Sequence, residues 1–285
     1  METSSFAQPL TSRFIAGRTL DEELAVCRKL ESEKILASLD HLGENVTSLE
    51  ESRATRDSYL EILDRIAASG LRATISAKPT QLGMDLGEDV CLSNLSSLVE
   101  RARSLGSAVE IDMESSEYVD RTLRLVSAVH QQYGSVRAVI QAYLYRSEKD
   151  VDCLNAERIP VRLVKGAYHE PATVAWPRKK DVDSSFLRLT RRLLQHGTNP
   201  AIATHDERIV AEAVRLAREC GIKPEQFEFQ MLFGIRRDLQ RRLVADGFRV
   251  RLYVPYGDAW YPYFMRRLAE RPANAIFLAR NLLRA

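Results

Sequence analysis

Val161-Arg-Leu-Val-Lys-Gly-Ala-Tyr168 is a short apolar run, broken by one arginine, that ends in a lysine and a glycine. A run of about four to eight such residues bounded by Gly or Pro reads as a buried strand. The pattern recurs along the chain. Upstream lie Leu36 to Leu42, ending Gly43-Glu44-Asn45; Leu71 to Ala77, ending Lys78-Pro79-Thr80-Gln81; Ala108 to Ile111, ending Asp112-Met113-Glu114; and Ala138 to Ile140, ending Gln141-Ala142-Tyr143. Downstream lie Ala201 to Ala203, ending Thr204-His205-Asp206; Phe227 to Phe229, ending Gln230-Met231-Leu232; and Arg249 to Val254, which stops at Pro255 and Gly257. Helical patterns separate the runs, as in Glu117 to Tyr133, Asp183 to His196, Glu207 to Cys220 and Arg236 to Asp246. Residues 19 to 39 also read as a helix, with Thr19 as its cap and Leu20, Leu24, Val26, Leu30, Ile35 and Leu36 at helical spacing.

Eight strand–helix units in about 250 residues is the count and size of a (β/α)₈ barrel, in which each parallel strand needs a crossover helix. The spacing therefore predicts one barrel domain over residues 1–285, with 1–34 as an N-terminal helical segment. Barrels of this kind build their active sites at the C-terminal strand ends. Here those ends collect Lys, Asp, Gln, Arg, Thr and His.

The last strand runs into Asp258-Ala-Trp-Tyr-Pro-Tyr-Phe-Met-Arg-Arg-Leu-Ala-Glu270, a helix that Asp258 can cap and whose first turn tolerates Pro262. Tyr263, Arg266, Arg267 and Glu270 lie three, four and seven apart and share one face. Two readings are open for that face: a solvated charged surface, or a clamp in which guanidinium forks bind a carboxylate.

Composition narrows the classes. A hydrophobic content of 45% is ample for a core, and a net charge of +2 is too small for a nucleic-acid groove or a polybasic membrane patch. Cys27, Cys91, Cys153 and Cys220 are scattered, which indicates neither a disulfide framework nor a zinc site and points to a reducing compartment, the cytoplasm. Met1 to Leu10 lacks the apolar run of a signal peptide.

Taken in order, Lys78-Pro-Thr-Gln-Leu-Gly83, Ile111-Asp-Met-Glu114, Gln141-Ala-Tyr143, Arg162-Leu-Val-Lys-Gly-Ala-Tyr168, Ala203-Thr-His-Asp206, Phe227-Glu-Phe-Gln-Met-Leu232 and Tyr263-x-x-Arg-Arg-x-x-Glu270 resemble the motifs of the monofunctional bacterial proline dehydrogenases. The resemblance covers nearly the whole chain. It implies a distorted (β/α)₈ barrel, FAD as cofactor, and oxidation of L-proline to 1-pyrroline-5-carboxylate by hydride transfer to flavin N5, the first step of proline catabolism to glutamate. It implies a membrane quinone as electron acceptor, which would bring a cytoplasmic protein to the inner face of the membrane. The chain has no room for an aldehyde dehydrogenase module, so a separate pyrroline-5-carboxylate dehydrogenase would take the product.

The same resemblance assigns roles by residue. Lys78, Arg266 and Arg267 would anchor the proline carboxylate, with Asp112 and Glu270 offsetting their charge. Tyr253, Tyr263 and Leu232 would wall the ring. Arg162 would sit against flavin N5 and, with Asp112, carry the catalytic role. Lys165, Gly166 and Ala167 would form a cofactor loop, joined by Met113, Gln141, Thr204, His205 and Gln230. No G-x-G-x-x-G follows any strand, so FAD would bind without a Rossmann domain. Two alternatives stay open at the level of sequence: an aldolase-type barrel with Lys78 or Lys165 forming a Schiff base, and a regulatory barrel that binds an amino acid without a cofactor.

Overall fold

The computed structural model describes residues 14–269, the last four by their backbone alone. Its eight strands are β1 (Leu36–His41), β2 (Ala73–Ala77), β3 (Val109–Ile111), β4 (Val136–Gln141), β5 (Val161–Val164), β6 (Ala201–Ala203), β7 (Glu228–Leu232) and β8 (Arg249–Tyr256). They form a closed parallel barrel in sequence order. Closure comes from β8 against β1, in register from Leu36 with Arg251 to His41 with Tyr256.

The helices are α1 (Leu20–Ser32), α2 (Leu49–Ala68), α3 (Glu88–Ser104), α4 (Val119–Tyr133), α5 (Ser147–Ala156), α6 (Lys179–His196), α7 (Glu207–Glu219), α8 (Arg237–Ala245) and α9 (Trp260–Ala269). Each turns one apolar stripe inward: Tyr59, Ile62, Leu63 and Ile66 on α2, and Phe186, Leu189, Leu193 and Leu194 on α6, are all buried. They meet the outward faces of the strands, where Leu39, Ile75, Leu252 and Val254 lie in one continuous core.

Two helices depart from a regular barrel. α1 packs on β1 and β8, so it covers the seam that the helix after β8 would otherwise cover. α9 instead lies against the barrel mouth, where Tyr263 and Phe264 cluster with Phe14, Ile15 and Leu42 and with the partly buried Ile235 and Tyr253. That displacement is the distortion that the sequence resemblance implies.

The N-terminal helix is shorter than its spacing predicts. Thr19 caps it as expected, in a reciprocal capping box with Glu22, but it ends at Ser32 rather than continuing to residue 39. Lys34 adopts a φ of 62° and turns the chain into β1, so Ile35 is buried and Leu36 half-buried on the strand side of that turn. Asp258, expected to cap the last helix, has its carboxylate 2.7 Å from the Arg18 guanidinium. Among the described residues no helix is long and apolar enough to cross a membrane.

Candidate active site

Residues two apart on a strand point the same way. In this barrel the inward set is polar on most strands: Ser38 and Asp40 on β1, Ser76 and Lys78 on and just after β2, Glu110 and Asp112 on and just after β3, Arg137 on β4, Arg162 on β5, Glu228 and Gln230 on β7, and Arg251 and Tyr253 on β8. Contacts across the lumen confirm the direction. Arg162 Nη1 donates to Ser76 Oγ at 3.2 Å and to Gln230 Oε1 at 3.3 Å, and Gln230 Nε2 donates to Glu110 Oε2 at 3.0 Å.

The lower part of the lumen is an ionic layer. Arg137 Nη1 lies 2.6 Å from Glu228 Oε1 and 3.5 Å from Glu110 Oε1, and Arg251 Nε lies 3.0 Å from Glu228 Oε1. Burial alone would raise both glutamates. The surrounding arginines outweigh it and hold both below the usual carboxylate range, Arg251 and Arg137 for Glu228 and Arg137, Arg162 and Arg251 for Glu110.

The upper part is the site proper. Arg162, 4% exposed, is held by Glu110 at 3.2 Å and by a close contact of Nη2 with Asp112, and its guanidinium lies 5.4 Å from the centre of the Tyr253 ring. The Tyr253 hydroxyl donates to the other oxygen of Asp112 at 2.9 Å. Lys78 Nζ stands 3.6 Å from Asp40 Oδ1 and 4.0 Å from Asp112 Oδ2. Burial opposes its charge, but Asp40, Asp112 and Glu114 together prevail and raise its pKa above the ordinary lysine value. The same carboxylates thus favour the charged form of Lys78. A Schiff-base lysine needs the reverse shift, toward the neutral amine. Lys165, the other candidate amine, pairs with Asp183 at 2.5 Å and lies 3.6 Å from Asp206.

The segment that presents Lys78 is fixed from below. Pro79 opens a short 3-10 turn, Pro79–Leu82, closed by Gly83 at a φ of 92°. Within it Thr80 donates through its backbone N (3.0 Å) and its hydroxyl (2.7 Å) to Glu114. Gln141 Nε2 donates to the Glu114 carbonyl at 2.8 Å, tying the ends of β2, β3 and β4 together.

The residues expected to hold a cofactor occupy neighbouring strand ends. Met113 packs in a small buried cluster with Val139 and Tyr143. Gly166 has a φ of 117°, and a Cβ there would stand 2.3 Å from Tyr143 Cδ1, so only glycine lets this loop lie against that ring. Ala167 follows it. The Thr204 hydroxyl accepts from Asp206 N at 3.1 Å. His205 Nε2 accepts from Leu232 N at 2.8 Å, which places the ring proton on Nδ1 and joins the loops after β6 and β7. Gln230 is turned into the lumen, its amide shared among Arg162, Glu110 and Glu228.

On the substrate side, Leu232 is half-buried and Tyr263 is buried. Arg266 and Arg267 belong to α9, and their side chains lie outside the described part of the structure, as does the whole of Glu270. The structure therefore brings Lys78, Asp112, Arg162 and Tyr253 into one contact network beneath α9.

It adds Asp40 and Glu110, which the strand-end reading passed over, and Glu114, which that reading placed at the end of the third run without a role. The signal for Glu110 and Asp112 is their spacing of two within a strand that is otherwise apolar; Asp40 lies inside its strand and not at the end.

The proline dehydrogenase sequence profile matches residues 24–280. The chain belongs to the proline dehydrogenase family. It is 40% identical over 270 residues to proline dehydrogenase 2 of Bacillus subtilis, covering 95% of this chain and 89% of that protein. It is also 40% identical over 280 residues to the proline dehydrogenase of Deinococcus radiodurans, covering 96% and 90%. Among solved structures, proline utilization A from Bdellovibrio bacteriovorus inactivated by N-propargylglycine superposes with a TM-score of 0.86 at 26% identity, over 92% of this chain and 32% of that one.

The donors present suit the flavin that a proline dehydrogenase barrel would hold. Arg162 Nε is buried without a hydrogen-bond partner among the described residues, and the glycine-dependent backbone loop at Gly166 directly follows Lys165, just after β5.

Proposed function

We propose that this chain oxidises L-proline to 1-pyrroline-5-carboxylate with FAD as cofactor, and that its electrons pass to a membrane quinone. One observation carries the reading: Lys78, Asp112, Arg162 and Tyr253 form a single contact network, buried to half-buried, at the barrel mouth of a chain belonging to this family.

The substrate carries one carboxylate. The charged Lys78 ammonium meets it, and Arg266 and Arg267 on α9 complete the anchor with planar forks that suit a carboxylate. Asp112 and Glu270 offset the surplus positive charge. Tyr253, Tyr263 and Leu232 then enclose the apolar ring and exclude water from it. Asp112, bonded at once to Arg162 and Tyr253, fixes the cation and the aromatic wall relative to each other. Bound FAD would supply the hydride acceptor, at its N5 atom. Met113, Gln141, Arg162, Lys165, Gly166, Ala167, Thr204, His205 and Gln230 would hold or orient it, and Arg162 places a preorganised cation where negative charge accumulates. Such positioning can account for a large share of the rate. The product leaves for a separate pyrroline-5-carboxylate dehydrogenase, and the enzyme would work in the cytoplasm, at the inner face of the membrane.

The test is the visible spectrum of the purified protein. Oxidised flavin bands that bleach on anaerobic addition of L-proline support the reading; a colourless protein that binds proline supports the regulatory barrel instead. Arg266→Met and Arg267→Met each remove a charged contact and are expected to raise the proline KM, at a loss on the order of 2–5 kcal/mol, while flavin content stays unchanged. Unaltered KM in both would dismiss the clamp.

A further inference from the structure

Asp40 lies inside β1 and is fully buried; neither carboxylate oxygen has a well-formed hydrogen bond among the described residues, and the nearby Tyr253 hydroxyl favours its charged form only as a minor effect. Among the described residues Lys78, at 3.6 Å, is its one ion-pair partner. The other groups facing it offer no second cation. Asp112 beyond β3 is an anion, and the Tyr253 hydroxyl from β8 is given to Asp112. The Tyr59 hydroxyl from α2 points to the His41 carbonyl and to Gln81, at 3.4 Å each. His41, next on the strand, is held toward its neutral form by burial, and it stacks on Tyr256 of β8.

Behind β1, α1 contributes Glu23, also fully buried, with no side-chain partner for its carboxyl among the described residues and only the Asp40 backbone N–H near it. Burial, then repulsion from Asp40, push Glu23 well above the usual carboxylate range, toward its neutral form. Two adjacent buried carboxyls cannot both carry charge cheaply.

We propose that Asp40 is a positioning residue for substrate capture: it orients the Lys78 ammonium in the open site and takes up one proton from solvent when a substrate carboxylate claims that ammonium. The proposal rests on Lys78 being the carboxylate anchor. An arriving carboxylate draws the ammonium's donors away from Asp40 and adds a second anion beside it, and both effects favour the protonated acid. The balance is simple: free enzyme, carboxylate and one proton give the complex, with Asp40 neutral. Burial, with repulsion from Asp112, has already lifted Asp40 above its ordinary value against the pull of Lys78. Binding therefore strengthens as pH falls between the pKa of the free and of the occupied state.

The experiment is calorimetric titration of the flavin-loaded enzyme with cyclopentanecarboxylate, which keeps the ring and carboxylate of proline and has no amine to titrate. Runs in two buffers of different ionisation heat, across roughly pH 5–8, give the protons taken up. Wild type is expected to take up as much as about one proton per ligand within that range, and Glu23→Gln to keep that uptake. Asp40→Asn, a mimic of the protonated state, should take up almost none and bind at the alkaline end at least as tightly as wild type. A merely structural role for Asp40 would weaken binding at every pH and leave proton uptake unchanged, and that result overturns the proposal. Binding abolished by Lys78→Ala, but with no proton uptake in wild type, overturns the proposal alone. Binding indifferent to Lys78→Ala overturns the anchor reading and the proposal with it. Should Asp40→Asn fail to fold, the wild-type and Glu23→Gln titrations still decide.

Discussion

Arg162 meets Ser76, Gln230, Glu110, Asp112 and the Tyr253 ring, and these partners determine what its loss would do. Glu110 keeps Arg137 at 3.5 Å and Arg251 at 3.8 Å, and Asp112 keeps Lys78 at 4.0 Å, so Arg162→Met strands neither acid. The variant should fold and retain flavin. It should lower the flavin reduction potential and slow anaerobic bleaching by saturating proline by about 10²–10³-fold, the usual effect of removing one preorganised charge. Stopped-flow absorbance with a redox titration of the same sample checks this, and a wild-type potential and rate would reduce Arg162 to a buried salt bridge. Glu228 presents the opposite case. It is the closest acid to both Arg137 and Arg251, so Glu228→Ala leaves two buried guanidiniums short of a partner. Breaking a buried pair in this way costs about 3–5 kcal/mol. Urea unfolding is expected to register that loss, and a change within error would mean the lower ionic layer rearranges freely.

At the scale of the element, the loop after β5 depends on one backbone conformation. Gly166→Ala must accept a φ of 117° and drive a methyl into the Tyr143 ring. Strain of that kind amounts to roughly 1–3 kcal/mol. If the loop cradles the cofactor, the variant should retain FAD several-fold less tightly, read as the ratio of flavin to protein absorbance after dialysis, with little change in the proline KM of the flavin-loaded fraction. The strands themselves were legible in sequence because parallel barrel strands are covered on both sides, which leaves short apolar runs between polar ends. The end of α1 was not legible. Its boundary is a left-handed turn at Lys34, a residue type that carries no marker for positive φ, whereas glycine at that point would have announced the break. The site was half legible for a related reason. Strand-end residues such as Lys78 and Asp112 stand out against the runs they terminate, and Arg162 stands out within the motif of the fifth run, but Asp40 and Glu110 lie within strands, where their inward direction follows only from the alternation that closure of the barrel enforces.

At the scale of the whole molecule, four of the buried acids among the described residues form two groups with opposite dependence on pH. Glu110 and Glu228 sit below their unfolded pKa, so their contribution to stability is present above that value and is lost as pH falls through the folded pKa. Glu23 and Asp40 sit above theirs. Their contribution is complete below the unfolded pKa and is lost as pH rises through the folded one, because folding then either holds a proton that water would release or buries a charge. The second group sets a limit on stability at the alkaline side, and Glu23 isolates it, since it makes no contact with Lys78 or Arg162. Glu23→Gln keeps the shape of the neutral acid and cannot ionise. Its Tm relative to wild type should therefore be nearly constant below pH about 4.5, the ordinary value for a glutamate, and climb steadily as pH rises above it. Each kcal/mol of removed ionisation penalty corresponds to about 2–4 °C in a domain of this size. Differential scanning calorimetry from acid to mildly alkaline pH tests the trend. A Tm difference that stays flat across that range would mean Glu23 releases its proton without hindrance in the folded protein, and the neutral acid behind β1 would have to be abandoned.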